Sequence, residues 1–257
     1  MLKLALTMSA TCADNCAMVT RAEILAQIRQ DGETVLLAFS RGKDSLSAYL
    51  TLRDAGFCVV PFHMALVPGL SFVEESLAYY EHFFETPIIR VMHPNFFRWL
   101  RTLAFQPPLR CAVLSQEALQ ARLLPRISSF TQINQAVMRQ VGLPTTTWTA
   151  MGTRAADSVE RRSVIQRAGP IQHVQRTFWP VWDMLKADLL ACLSTAGVKL
   201  PLDYRLWGRS FDGIDWHFLQ ALRDQLPADY ARVLFWFPLA YLEFPRAALA
   251  QRCHRAA

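Results

Sequence analysis

The sequence is poor in charge and has no long apolar run. Charged residues make up 19% of its 257 residues, whereas hydrophobic residues make up 52%. A chain of this length and composition can bury a substantial core, and its composition is not that of a disordered protein. No apolar run approaches the roughly 18 residues needed to span a bilayer, so we expect no membrane partner.

Cysteine pairs and a signal peptide are also lacking. The six cysteines are widely spaced without a C-x-x-C pair, which argues against a disulfide framework in a chain of this length. Cys12 and Cys16 are the only close pair, and no second pair of cysteines or histidines lies nearby to complete a metal site. The apolar run in residues 1–8 is shorter than the roughly 7–15 residues of a signal peptide, which predicts an N-terminal tail on a cytoplasmic protein.

The charge that is present is mostly positive. The formal net charge is +6, and a basic balance favours polyanionic partners, either a nucleic acid or the triphosphate of a nucleotide. The charge is spread along the chain, and its densest stretch contains Arg154, Arg161, Arg162, Arg167 and Arg176.

Apolar and polar segments alternate in a pattern that predicts an α/β fold. Short apolar runs separated by helical segments indicate a mostly parallel twisted sheet with helices on both faces. Thr20 and Glu23 have the spacing of a capping box at the first helix, and Asn95 is the expected cap of the fourth. The predicted strands cover residues 34–39, 57–66, 88–92 and 147–151, and the predicted helices cover residues 20–31, 46–55, 72–84, 95–103 and 183–196.

The organisation along the chain predicts one α/β domain with two additions. We expect a tail over residues 1–19, the domain over residues 20–212 and a helical C-terminal extension over residues 213–257. Residues 106–143 lack strand signals and contain helical segments near 114–124 and 132–141, which predicts a helical insertion.

A polar hexapeptide, SRGKDS at residues 40–45, lies where the first predicted strand ends and a helix begins. Ligands of open α/β sheets bind at this edge, and a helix N-terminus offers unpaired N–H groups and partial positive charge to phosphate oxygens. Gly42 permits close backbone approach, Ser40 and Ser45 supply hydroxyl donors, and Lys43 supplies a point charge. The spacing of glycines is neither that of a Walker A loop nor that of a Rossmann fingerprint.

The segment AFSRGKDSL resembles the PP-loop of the ATP pyrophosphatase superfamily, whose pattern is close to S-G-G-K-D-S. The superfamily includes phosphoadenosine phosphosulfate (PAPS) reductases, FAD synthetases and several tRNA-modifying enzymes. The resemblance implies a PP-loop/HUP-like fold, a loop that cradles the β- and γ-phosphates of ATP, and Mg²⁺ as cofactor, with Asp44 as its candidate ligand. Arg41 departs from the pattern: it either carries a strained positive φ, at roughly 1–2 kcal/mol, or adds a donor to the phosphates.

A second motif, GTRAADSVER at residues 152–161, resembles the G-I-R-x-x-E-S-x-x-R motif of PAPS reductases. It again follows a predicted strand, so it should lie on the same rim of the sheet as the hexapeptide. Gly152 opens the motif. Arg154 is the expected second anion contact, because a guanidinium matches phosphate or sulfate oxygens, and Arg161 is expected in the same pocket. Asp157 either orients Arg154 or holds Mg²⁺; a solvated charged helix is the alternative for the whole segment.

Two weaker stretches complete the resemblance, which covers about residues 30–210. Residues 68–75 resemble the G-x-x-F-P-E-T stretch of PAPS reductases, with Glu74 at the glutamate, although an acidic first turn of a helix explains it equally well. Residues 179–184, Tyr204 and Arg209 resemble a further reductase segment that ends in a cysteine, and Phe211 to Gly213 stand in its place here.

The sequence favours ATP over sulfonucleotide chemistry. Cys253 followed by His254 is the only C-terminal candidate for a reductase nucleophile, and it lacks the neighbouring glutamate and glycine of that family. We therefore expect adenylyl transfer to a nucleic acid or small-molecule acceptor, with Lys43, Asp44 and Arg154 as the catalytic residues. PAPS-dependent reduction or sulfotransfer, and a non-catalytic nucleotide sensor in a nucleic-acid modification complex, remain the alternatives.

Overall fold

The computed structural model describes residues 19–109 and 129–256, and a six-stranded sheet lies at its centre. Its strands are β1 (Thr34–Ala38), β2 (Cys58–Ala65), β3 (Ile89–Met92), β4 (Thr149–Met151), β5 (Ile171–Gln172) and β6 (Thr177–Phe178). The strand order is β3-β2-β1-β4-β6-β5, and every neighbouring pair is parallel except β5 and β6. The α/β class with a mostly parallel sheet is therefore confirmed.

The helices surround this sheet and extend to the C-terminal part of the chain. They are α1 (Arg21–Asp31), α2 (Lys43–Asp54), α3 (Ser71–Phe84), α4 (Pro94–Arg101), α5 (Phe130–Gln140), α6 (Val159–Ala168), α7 (Lys186–Ala196), α8 (Leu202–Trp207), α9 (Trp216–Gln225), α10 (Pro227–Trp236) and α11 (Glu243–Ala256), with 3-10 turns at Ala155–Asp157 and Pro238–Leu242. The expected helical segment at 132–141 corresponds to α5, whereas the one at 114–124 lies outside the described residues.

Alternating residues of β1 divide the core into two layers. Val35 and Leu37 face the larger apolar cluster, which includes side chains of α1, α2, α3 and α7. Leu36 points to the opposite face and packs against α5 through a smaller cluster. Because every second side chain of a strand changes face, both layers need apolar residues, and β1 consequently reads as a continuous apolar run.

The expected starts of α4 and α7 are wrong. His93, not Asn95, caps α4: its ring Nδ1 accepts the backbone N–H of Asn95 at 3.0 Å, and Pro94 occupies the first helical position, where its missing N–H is not needed. Helix α7 begins at Lys186 rather than at Asp183, because Asp183 forms an ion pair with Arg21 at 2.7 Å and lies outside the helix. The capping box of Thr20 and Glu23 is confirmed.

The two shortest strands were not predicted from the sequence. Strands β5 and β6 have two residues each and pair antiparallel, and β6 also extends the sheet beside β4. Two residues are too few to show the alternation by which a strand is recognised, so the sheet continues two strands further than expected.

The C-terminal helices belong to the same core as the sheet. Leu219, Leu222 and Val233 are fully buried members of the larger apolar cluster. Asp229 of α10 accepts hydrogen bonds from the Ser71 backbone and hydroxyl at 2.6 and 2.7 Å, and so caps α3 from a distant part of the chain. Within the described ranges no single helix is both long and apolar enough to cross a bilayer; residues 227–253 reach that length only as a pair bent by 113°.

Candidate functional site

The hexapeptide lies at the crevice where the direction of the sheet changes. From β1 the chain passes to β2 on one side, whereas β4 lies on the other side, so the segments that follow β1 and β4 separate at this point. Such a switch point is where open α/β sheets bind ligands. Helix α2 starts at Lys43, three residues earlier than expected, because the Leu46 N–H already bonds to the Gly42 carbonyl at 3.0 Å. Lys43, Asp44 and Ser45 therefore form the first helical turn.

The hydrogen bonds of the loop leave the helix N-terminus open to a ligand. The Ser45 hydroxyl donates to the Gly42 carbonyl at 3.0 Å, and the Ser40 and Ser45 hydroxyls are 3.1 Å apart. The Lys43 N–H bonds to the Tyr204 hydroxyl at 3.0 Å, and no side chain of the described residues caps Gly42. An uncapped helix start with a lysine in its first turn is suited to bind an anion.

A cleft of about 650 Å³ opens in front of this helix start. It is bounded by the ends of β1, β2 and β4 and by the segment that follows α8. The residues predicted from sequence that line it are Ser40, Lys43, Asp44, Ser45, Gly152, Asp157 and Arg161. The two motifs therefore meet at one cleft although more than 100 residues separate them, as the sequence analysis expected.

The side chain of Arg41 is not among the residues that line the cleft. Its guanidinium is buried and forms a two-pronged ion pair with Asp203 at 2.9 and 3.1 Å, and it also donates to the Ser76 hydroxyl at 2.8 Å. The backbone of Arg41 has a φ of 66°, which is the left-handed conformation that a glycine adopts without cost. Of the two alternatives for Arg41, the strained positive φ is therefore the one observed, and the side chain is not placed to donate to a phosphate in the cleft. The ion pair holds Arg41 in the strained conformation.

Arg154 is likewise enclosed by protein groups. Its Nε lies 2.6 Å from Asp44 Oδ1, a close charge contact outside the N–H direction, and its Nη2 bonds to Asp157 Oδ1 at 2.6 Å. Its Nη1 donates to the Met184 carbonyl at 3.1 Å, and only 5% of the residue is exposed. Arg154 thus links the start of α2 to the turn after β4, and Asp157 orients it. Arg154 is therefore not free to supply the second anion contact that was expected of it.

The remaining predicted residues differ in accessibility. Arg161 is 53% exposed in its side chain and pairs with Asp157 at 2.8 Å, so it can turn towards a ligand at the cleft. Gly42 is buried beside Tyr204 and Ser210. Glu74 lies outside the cleft lining, in the first turn of α3, where it pairs with Arg90 at 2.9 Å. This position agrees with the alternative to a ligand role for Glu74, namely an acidic residue in the first turn of a helix.

No protein-family model and no curated protein matches the sequence. The similarity of residues 40–45 and 152–161 to a PP-loop protein therefore rests on those motifs alone. The geometry of the cleft does not depend on that similarity.

Further cleft residues come from segments that the sequence analysis did not assign to the site. Helix α8 contributes Tyr204, and the strap between α8 and α9 contributes Arg209, Ser210 and Asp212. The resemblance of residues 179–184, Tyr204 and Arg209 to a reductase segment was the one sequence signal for two of these residues. The cleft is also lined by His63 within β2, His93 after β3 and Asn95 in the first turn of α4. Nothing in their local sequence distinguishes them from ordinary strand, turn and helix residues.

Gly152 makes the close approach of the two motifs possible. A Cβ atom at this position would lie 2.8 Å from the Asp44 carbonyl carbon and from the Ser45 nitrogen. Both atoms belong to the backbone of α2, so they cannot move aside as a flexible side chain would. The turn after β4 therefore requires glycine where it packs on the first turn of α2.

We predict that G152A displaces the start of α2 from β4. The added methyl group should cost about 1–3 kcal/mol of unfolding free energy, as overpacking does in a tight contact. Urea denaturation measures this loss. A variant as stable as wild type would contradict the close contact.

His63 is a neutral, buried histidine. Burial, with a smaller contribution from the charge of Arg41, lowers the pKa of His63 to about 3. Its Nδ1 lies 2.9 Å from the Phe39 carbonyl. Because a carbonyl can only accept, Nδ1 carries the proton and Nε2 has a free lone pair.

Protonation of His63 should destabilise the folded state at acidic pH. Its pKa falls from 6.5 to about 3 on folding, so the unfolded chain binds a proton that the folded chain does not. The stability linked to His63 is therefore present above pH 6.5 and is lost as the pH falls towards 3, by about 1.4 kcal/mol per pH unit. We predict that, between pH 6 and pH 4, the free energy of unfolding of wild type falls by about 1.4 kcal/mol per pH unit more than that of H63N. Urea denaturation at each pH measures the difference. Parallel curves for the two proteins would contradict it.

The carboxylates of the site do not form a ready-made metal centre. Asp44 Oδ1 faces Arg154 and its Oδ2 lies 3.0 Å from Lys43 Nζ, so both oxygens already have cationic partners. Among the described residues there is no group of three acidic, histidine or cysteine side chains that could hold a metal ion. This donor set does not fit a resident Mg²⁺, whereas a magnesium ion carried by the phosphates of its nucleotide needs few protein ligands.

Proposed function

We propose that the protein binds ATP through residues 40–45 and catalyses adenylyl transfer with release of pyrophosphate, on a fold of the PP-loop/HUP type. The observation that carries the proposal is the uncapped start of α2, with Lys43 in its first turn, at the switch point of the sheet and in front of a cleft. The cleft volume of about 650 Å³ lies within the range of nucleotide-sized sites.

The polyphosphate would lie along the first turn of α2. The N–H groups of Asp44 and Ser45 and the Lys43 ammonium supply donors and positive charge on the side of the β- and γ-phosphates. The Tyr204 hydroxyl, which now accepts the Lys43 N–H, retains its own proton and can donate it to a phosphate oxygen. The ligand would reach the cleft as the magnesium complex of ATP.

Reaction at the α-phosphorus requires positioning and charge neutralisation more than covalent chemistry from the protein. A nucleophilic atom of the acceptor forms a bond to the α-phosphorus while the bond from that phosphorus to the bridging oxygen breaks. Pyrophosphate leaves with the electron pair, and the acceptor proton passes to solvent. Lys43 would stabilise the charge that develops on the leaving group.

Arg154 and Asp157 act on this chemistry indirectly. Arg154 holds the Asp44 carboxylate at 2.6 Å and is itself held by Asp157 and the Met184 carbonyl. Rigid support of the first turn of α2 keeps its N–H groups in place before the ligand binds, so less ordering is needed on binding. We infer that both residues are positioning residues.

The exposed arginines of the cleft support a nucleic acid as the acceptor. Arg161 and Arg209 have side chains 53% and 64% exposed, and each is paired with a single carboxylate, Asp157 and Asp212 respectively. Such arginines can exchange these partners for the phosphates of a nucleic acid backbone. The net charge of +6 also favours a polyanionic acceptor such as a nucleic acid.

Sulfonucleotide reduction has less support. Of the three cysteines within the described residues, which are Cys58, Cys192 and Cys253, none lines the cleft. A reductase needs a thiolate at the reacting sulfur, so its nucleophile would have to come from elsewhere.

Pyrophosphate release on incubation with ATP tests the proposal. Purified protein is incubated with ATP, magnesium and each acceptor class in turn, namely RNA, DNA, carboxylic acids and thiols, and pyrophosphate is quantified. We expect acceptor-dependent release that K43M abolishes. Saturable ATP binding without pyrophosphate release under any of these conditions would contradict adenylyl transfer and favour the nucleotide sensor.

A further inference from the structure

Two histidines line the cleft on the side of β2 and β3, whereas the motif that contains Arg161 follows β4 on the other side of β1. His63 lies on β2, and His93 follows β3, where its backbone N–H bonds to the Ala65 carbonyl at 2.9 Å. Both line the cleft, at the ends of adjacent parallel strands. If the phosphates of a nucleotide lie at the start of α2, its base has to occupy another part of the same cleft.

Backbone contacts fix what each ring offers to a ligand. The Nδ1 of His63 donates to the Phe39 carbonyl, so its Nε2 is an acceptor. The Nδ1 of His93 accepts the Asn95 N–H, so in the neutral ring its Nε2 is a donor. One ring thus offers an acceptor and the other a donor, and neither can exchange roles without losing its backbone bond.

Both rings are held in the neutral form. Burial and the charge of Arg41 lower the pKa of His63 to about 3, and burial and Arg98 lower the pKa of His93. His63 is only 7% exposed, and His93 packs edge-on against the Phe130 ring at 5.7 Å. The two hydrogen-bonding groups are therefore largely preorganised.

We propose that His63 and His93 form a base-recognition subsite that selects a 6-aminopurine over a 6-oxopurine. The exocyclic amine of adenine donates to His63 Nε2, and a ring nitrogen of the base accepts from His93 Nε2. A 6-oxopurine presents an oxygen where the amine stood, and that oxygen faces the lone pair of His63. This subsite deepens the proposed function and rests on it, because the position of the base follows from the position of the phosphates.

Asparagine substitutions separate this role from a structural one. An asparagine amide occupies the position of the histidine Nδ1, so H63N can still donate to the Phe39 carbonyl and H93N can still accept the Asn95 N–H. Each variant therefore retains the backbone contact while it loses the group that faces the cleft. Folding is checked by thermal unfolding at pH 7.5.

Calorimetric titrations with ATP, ITP and tripolyphosphate test the subsite. Wild type should bind ATP at least about tenfold more tightly than ITP, which corresponds to one lost hydrogen bond and one repulsive contact. H63N should reduce this ratio to about threefold or less, and H93N should weaken ATP binding about tenfold. Tripolyphosphate, which has no base, should bind all three proteins equally.

The outcomes distinguish the two proposals. A wild-type ATP-to-ITP ratio in H63N, or wild-type ATP affinity in H93N, would overturn the subsite while tripolyphosphate binding still supports the phosphate loop. Failure of wild type to bind either ATP or tripolyphosphate would overturn the proposed function and the subsite together.

Discussion

Replacement of Asp203 by alanine is expected to lower the free energy of unfolding by about 3–5 kcal/mol. Asp203 is fully buried and pairs with both terminal nitrogens of the Arg41 guanidinium, which is itself 1% exposed. It also accepts the Phe211 N–H at 2.8 Å. Among the described residues, the alanine variant would leave the buried cation with the Ser76 hydroxyl as its one hydrogen-bond acceptor and the Phe72 ring beside it. Removal of one member of a buried pair is far more costly than removal of both.

Urea denaturation of D203A, with D212A as a matched control, measures this effect. Asp212 lies in the strap that follows α8, the helix of Asp203, but it is 55% exposed and pairs with an exposed arginine, so its removal should change stability by no more than about 0.5 kcal/mol. The double variant R41G/D203N should recover most of the loss, since it removes both charges and places glycine at a φ of 66°. A loss below about 1 kcal/mol in D203A would show that the ion pair does not hold the loop.

The substitution K43M is expected to weaken ATP binding about 10- to 100-fold while the fold stays intact. Methionine keeps the length and helix propensity of lysine but removes the ammonium that faces the cleft. Lys43 is partly exposed, and within the described ranges its side chain pairs only with the adjacent Asp44, so the effect on stability should be small. ATP affinity should fall because a charge-assisted contact to a phosphate is replaced by an apolar group.

Calorimetric titration of ATP into wild type, K43M and K186M separates a local role from a general effect of charge. Lys186 is an exposed lysine in the first turn of α7, so K186M removes one positive charge from a comparable helical position outside the cleft. K186M should bind ATP as wild type does. Equal ATP affinity in all three proteins would contradict a phosphate site at α2.

The sequence allowed the location of the candidate site to be predicted because its signals are local. The apolar run of β1, followed at once by SRGKDS, identifies a strand-to-helix turn without knowledge of the tertiary structure. The motif at residues 152–161 likewise follows a strand, β4, and leads into a helix, α6. Parallel strands then place both turns at one edge of the sheet, which is the arrangement found.

The roles of the two arginines could not be predicted, because their partners are remote in sequence. Arg41 pairs with Asp203, 162 residues away, and Arg154 contacts Asp44 and the Met184 carbonyl. A guanidinium beside a predicted phosphate loop is naturally interpreted as a phosphate ligand until such partners are known. His63 gave no signal for a related reason: its fixed tautomer depends on a carbonyl of the neighbouring strand.

A crystal structure with α,β-methylene-ATP tests the central claim most directly. The analogue cannot release pyrophosphate, so it should remain in the cleft. We predict that its β- and γ-phosphate oxygens lie within hydrogen-bonding distance of Lys43 Nζ and of the N–H groups of Asp44 and Ser45, with the base towards His63 and His93. A polyphosphate bound elsewhere, or a loop over residues 40–45 without phosphate at saturating ligand, would contradict the account.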